Sequence, residues 1–148
     1  MKSKHHLAPL ALCASLFLLG GCGHFQREWR EAGKAESPSS PVAGRWEGRW
    51  QSDSPGHGGN LKCVVTETAE HRYRAHFHAT YKGILRFTYV AELHGGPSNN
   101  VVFFSGTADL GKLAGGVYKY DGSADGTNYL SRYDSSYDKG SFKMTRPR

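Results

Sequence analysis

Arg72-Tyr73-Arg74-Ala75-His76-Phe77-His78-Ala79-Thr80-Tyr81 alternates without a break between ring or methyl side chains and polar ones. In an extended chain Tyr73, Ala75, Phe77, Ala79 and Tyr81 share one side, and Arg72, Arg74, His76, His78 and Thr80 share the other. A period of two over ten residues predicts a strand whose apolar face turns to a core and whose basic face turns to water. The following run, positions 84–94, repeats the pattern: Leu85, Phe87, Tyr89, Ala91 and Leu93 oppose Arg86, Thr88, Val90, Glu92 and His94.

Working outward from this pair, positions 44–52, 60–68, 100–108, 113–121, 127–134 and 140–147 read as further strands, making eight in all. Gly116, Tyr118 and Tyr120 share the inner side of the sixth. Val101-Val102-Phe103-Phe104 in the fifth is apolar throughout, so its faces stay unassigned. Turn chemistry separates the runs at Pro55-Gly56-His57-Gly58-Gly59, Gly95-Gly96-Pro97, Asp121-Gly122 and Asp125-Gly126. Every link is short, and no helical stretch within 44–148 is long enough to cover an apolar sheet face. An all-β, eight-stranded antiparallel up-and-down barrel is therefore the expected fold, because closing the sheet buries the inner face and removes both edges. A two-sheet sandwich is the alternative.

Gly44-Arg45-Trp46 opens the first strand and Arg146 lies in the last. These residues resemble the Gly-x-Trp motif of the calycin superfamily (lipocalins, avidins, fatty-acid-binding proteins) and the basic residue that stacks on its tryptophan. The resemblance implies a calycin-like barrel in which Trp46 and Arg146 are structural partners across the closure. The chain has no Thr-Asp-Tyr segment of the lipocalin kind. Arg132 and Tyr133 are adjacent, unlike the same-face Arg-x-Tyr pair that grips a fatty-acid carboxylate, so no particular ligand carries over.

Before the barrel, Lys2 and Lys4 precede an apolar run from Leu7 to Leu19. Thirteen residues are too few for a bilayer, which needs about 20, and suit a secretory signal. Leu19-Gly20-Gly21-Cys22 follows and resembles the bacterial lipobox. That resemblance implies cleavage before Cys22, lipidation of its thiol by palmitate-type acyl chains, and a lipoprotein held at the membrane of the cell envelope. Gly23, where Asp would retain the protein at the inner membrane, implies the outer one. The expected organisation is a signal peptide over 1–21, a lipidated cysteine and disordered tether over 22–43, and a barrel domain over 44–148. Ser37-Pro38-Ser39-Ser40-Pro41 suits a tether; Arg27 and Glu31 are spaced one helical turn apart near Trp29.

The net charge is +6, and without Lys2 and Lys4 there remain 17 basic against 13 acidic residues. So mild an excess, with no dense basic stripe and an exported chain, argues against a nucleic-acid partner. Cys63 has no partner once Cys13 is cleaved off and Cys22 is acylated, and is expected to be a buried thiol. His76 and His78 share a face with Arg72 and Arg74, whose charges oppose a cation, so no metal and no cofactor are expected. His57-Gly58-Gly59 is followed by no Gly-x-Ser-x-Gly elbow, and Asp134 and Asp138 suit turn formers, so the chain is not expected to be an enzyme. Trp50, Phe77, Tyr89, Tyr118 and Tyr120, interleaved with alanine and glycine, are the candidate lining for a small hydrophobic ligand. The alternative is a packed barrel that binds an envelope protein or an acidic polymer through Arg72, Arg74, His76, His78 and Arg86. The sequence leaves the oligomeric state open.

Overall fold

A computed structural model describes residues 17–148, with side chains from Gly23 onward. Positions 1–16 and the Cys22 side chain, and with them the lipobox reading, lie outside the described residues. The chain runs α1 (Phe17–Ala32), β1 (Gly44–Ser52), β2 (Gly58–Ala69), β3 (Arg72–Tyr81), β4 (Leu85–Ser98), β5 (Val101–Asp109), a 3-10 turn (Lys112–Ala114), β6 (Val117–Ala124), β7 (Asn128–Asp134) and β8 (Lys139–Thr145). The eight strands form one closed, wholly antiparallel barrel in sequence order, with β1 pairing back to β8 through Trp50 opposite Phe142 and Glu47 opposite Thr145. Closure leaves no strand edge unpaired.

The expected faces are in place on β3: Tyr73, Ala75, Phe77 and Ala79 are buried. On β5 the unassigned run resolves, with Val102 and Phe104 inside and Phe103 on the wall outside. Two expected turns are strand instead. Gly95-Gly96-Pro97 continues β4, paired with Phe104, Phe103 and Val102, and the chain reverses two residues later at Asn99, whose φ is 56°. A β-carbon on Gly95 would stand 1.9 Å from the Phe103 carbonyl, so that glycine serves close strand approach and not a bend. Asp121-Gly122 likewise lies within β6, and Gly122 leaves room for the Phe104 ring.

The odd-numbered strands all run toward one end. There the links between β1 and β2, β3 and β4, β5 and β6, and β7 and β8 surround a mouth. The other end is closed by the links after β2, β4 and β6 and by the chain segment entering β1. Trp46, Tyr129, Phe104, Val42 and Met144 fill that closed half. Trp46 donates its indole N–H to the Val42 carbonyl (2.8 Å), and the Arg146 guanidinium lies 3.8 Å from the centre of its ring.

Residues 23–43, assigned to an extended tether from sequence, are only partly irregular. The chain is helical to Ala32, and Phe25 of α1 is fully buried against the outside of the barrel. Phe25 and Trp29 recur at helical spacing and stack on each other, and Trp29 in turn lies under Arg45 (5.3 Å) and Lys62 (4.7 Å). Beyond α1 the serine- and proline-rich stretch is irregular, as its composition requires, before Val42 enters the core.

Candidate functional site

The barrel interior is neither wholly filled nor wholly hollow. Phe77 of β3, at the midpoint, stacks on Tyr89 (5.1 Å) and Tyr120 (6.2 Å) and tilts against Phe142 (5.4 Å). This layer of rings is a floor. Below it the core is packed. Above it a cavity of about 710 Å³ opens at the mouth, bounded by side chains that include Trp50, Ala79, Phe87, Tyr89, Tyr118 and Tyr133. The space lies among the mouth ends of the strands, where Ala79 on β3 contributes only a methyl group.

Of the five residues expected to line a ligand site, Trp50, Tyr89, Tyr118 and Tyr120 border the cavity. Phe77 does not; it is buried beneath them as the floor. Trp50 is held in place by an indole N–H donated to the Thr80 carbonyl (2.9 Å). That bond depends on Gly59, where a β-carbon would stand 1.7 Å from the same oxygen and 2.8 Å from the Trp50 nitrogen. Residues that sequence reasoning did not single out complete the walls: Leu61, Phe87, Leu110 and Ala114 are apolar, and Asp109 and Asp138 supply charge. Leu110 and Ala114 belong to the link between β5 and β6, whose approach to the mouth no period in the sequence reveals.

The electrostatics of the cavity are one-sided. Burial, together with the neighbouring phenols, raises the pKa of Tyr89, and burial raises that of Tyr120, so both hydroxyls stay protonated. Asp138 accepts hydrogen bonds from Ser52 Oγ (2.5 Å) and the Tyr133 hydroxyl (2.8 Å), and Asp109 accepts one from the Gly111 amide (2.8 Å). Among the described residues, no lysine, arginine or histidine borders the cavity. Cys63 is buried, and burial raises its thiol well above the ordinary range, which leaves it an inert thiol.

The basic face of β3, expected to be solvated, is instead covered in part by α1, although Arg72 remains exposed. His76 is only 5% exposed, and its Nδ1 lies 2.5 Å from Glu28 Oε2 of the helix. Arg74 donates to the other Glu28 oxygen at 3.1 Å. Helix and strand are thus joined by one carboxylate bridging an imidazole and a guanidinium. His24, Glu28 and His76 bring ligand atoms within 4.8 Å of one another, a set of the kind that takes a divalent metal, with the Arg74 guanidinium already on the carboxylate. The surface that would have served the alternative, an acidic-polymer site on Arg72, Arg74, His76, His78 and Arg86, is in part the seat of α1.

This seat is sensitive to acid. Burial alone would raise the Glu28 carboxyl, but the His76 hydrogen bond and the charges of His76, Arg74 and His24 outweigh it and hold it below its ordinary value. Burial, followed by the charges of Lys62, Arg86 and His76, lowers His78. Both groups bind protons less readily in the folded state, so both contribute stability that is present above their unfolded pKa values and is lost as pH falls. Amide exchange along residues 24–32 is expected to accelerate as pH is lowered from 7 to 4, after correction for intrinsic exchange, and Glu28→Gln is expected to remove the lower part of that dependence. Unchanged protection of α1 across this range would contradict the bridge.

Comparison of the chain with protein-family models, with curated proteins and with solved structures finds no match.

Proposed function

We propose that the barrel carries one small apolar molecule in its mouth cavity, as a non-enzymatic calycin-like module of the bacterial cell envelope. The observation that carries this reading is the cavity of about 710 Å³ walled by Trp50, Phe87, Tyr89 and Tyr118, within the size range of small-molecule sites and apolar on most of its surface. Trp46 under Arg146 and the eight-stranded closure support the calycin likeness, and covering of the basic β3 face by α1 counts against the packed-barrel alternative.

The charge at the cavity defines the guest further. Asp109 and Asp138 would oppose a carboxylate and favour a neutral or cationic head. A hydrophobic fluorescent probe is expected to bind saturably at one site, and a neutral long-chain ester or an alkylamine to displace it about tenfold more effectively than the matching fatty-acid anion, the effect of one like charge near a half-exposed carboxylate. Absence of saturable binding across aliphatic and aromatic probes would overturn the carrier reading.

The anchor belongs to the same proposal. Leu19-Gly20-Gly21-Cys22 supports lipidation of Cys22, attachment to the envelope and, with Gly23 next, delivery to the outer membrane. Two or three acyl chains are enough for stable attachment. Labelled palmitate is expected on the wild-type chain and absent from Cys22→Ser; equal labelling of both would remove the assignment.

A further inference from the structure

Large apolar side chains are exposed at the open end of the barrel and not at the turns of the closed end. Ile84 and Leu85 stand at the link between β3 and β4, Leu113 and Val117 at the link between β5 and β6, and Tyr137 at the link between β7 and β8; Ile84 is 81% and Tyr137 79% exposed. The turns at the closed end are Glu70-His71, Asn99-Asn100 and Asp125-Gly126-Thr127, without one apolar side chain larger than a methyl group. Exposed turns are ordinarily polar, and a grouped apolar rim marks a surface that meets something other than water. Lys82, Arg86 and Lys112 are exposed among these residues, and none of them forms an ion pair among the described residues.

Helix α1 indicates which way this rim points. His24 and Phe25 lie against His76 and His78 at the middle of β3, whereas Gly33 meets Arg45 near the start of β1 at the closed end. The helix therefore runs antiparallel to β3, and its backbone before Gly23, with Cys22 in it, continues in the direction of the mouth.

We infer that the open end of the barrel is a membrane-docking face, in which Ile84, Leu85, Leu113 and Tyr137 enter the interface of a bilayer and Lys82, Arg86 and Lys112 meet anionic lipid headgroups. Apolar loop tips with unpaired cations beside them at the β3–β4 and β5–β6 links match the layered chemistry of a bilayer surface, with acyl chains beneath phosphates. The mouth cavity then opens onto the lipid, so an apolar guest passes between bilayer and barrel without crossing water. The rim does not depend on the carrier reading: docking is measured with vesicles and carriage with a soluble probe, so either can fail alone.

The test uses the full chain carrying Cys22→Ser, so that no acyl anchor contributes, and measures co-sedimentation with vesicles of phosphatidylglycerol and phosphatidylcholine in equal parts and of phosphatidylcholine alone. Adding Ile84→Ser and Leu113→Ser is expected to lower partition onto the anionic vesicles by about tenfold or more, since two large exposed apolar side chains are lost. Binding of the parent to phosphatidylcholine alone is expected to be weaker. Phe103→Ser with Leu130→Ser, two exposed apolar residues on the barrel wall, is the control expected to leave partition unchanged. The leader adds the same background to every variant. Equal partition of the Ile84/Leu113 variant and its parent would overturn the inference. So would sedimentation velocity showing that the rim substitutions dissolve a dimer while vesicle binding persists, which would make the occupant a second copy of the chain.

Discussion

Replacing Trp46 with alanine is expected to lower the unfolding free energy by about 3–5 kcal/mol, the cost of emptying a large aromatic site in a packed interior. Trp46 is fully buried, its ring tilts against Tyr129 at 5.6 Å, and its N–H satisfies the Val42 carbonyl. The Arg146 guanidinium above it donates to the carbonyls of Ala43 (2.6 Å), Pro41 (3.1 Å) and Arg45 (3.3 Å), and its Nε to Gly126 (3.1 Å). One side chain thereby joins the segment entering β1, β1 itself, the link between β6 and β7, and the end of the chain. Arg146→Ala is expected to cost about 2–3 kcal/mol, because charged hydrogen bonds are lost and half-buried carbonyls are left without donors. Arg146→Lys is expected to recover little of this, since an ammonium lacks the planar fork that reaches several acceptors and stacks on the indole. Urea midpoints at constant m-value measure each variant, and a double-mutant cycle separates the stacking energy from the packing. A midpoint for Arg146→Ala equal to that of the wild type would show that the closed end is held by its apolar core alone.

Ala79→Trp is expected to abolish probe binding while the barrel remains folded. Ala79 borders the cavity from β3, beside Trp50 and Leu61, so an indole there projects into open volume. Ala75 lies on the same face but below the ring floor and is fully enclosed. Ala75→Leu is therefore expected to overpack the core, costing about 1–3 kcal/mol, and to leave the probe site above it in place. The two sites share one face of β3 and differ in height along it. Loss of binding in Ala79→Trp with a preserved thermal midpoint, against retained binding and a lowered midpoint in Ala75→Leu, is the pattern that a half-hollow barrel requires. Full probe affinity in Ala79→Trp would place the guest elsewhere.

The barrel was legible because the information that specifies it is local. Alternation from Arg72 to Tyr81 assigns the two faces of β3, that from Leu85 to His94 does so for Ala91 and Leu93 but not for Leu85 and Phe87, which are exposed at the mouth, and eight such runs with short links leave closure as the economical way to bury the inner face. Errors arose where one residue type serves two ends. Gly95 and Gly122 read as turn glycines, but each is inside a strand, where its missing side chain admits a neighbouring backbone or the Phe104 ring. Phe25 and Trp29 carried a helical spacing, but with so few apolar positions the signal was weaker than that of the serine and proline residues that follow.

By itself, then, the sequence determined the number and order of the strands, the inward face of β3, and the pairing of first strand with last that places Trp46 near Arg146, while the sixth strand, expected over 113–121, is Val117–Ala124 preceded by the 3-10 turn. Each of these follows from side chains a few residues apart or from the order of the strands. Only the tertiary structure decided that the closed half is packed and the mouth half is hollow, that Phe77 is a floor, that α1 sits on His76, and that the apolar turns share one end. The physical reason is that the volume inside a barrel is a sum over eight strands at one height. Whether an alanine there borders empty space or the ring of a residue far away in the chain depends on register and shear, which no local period records.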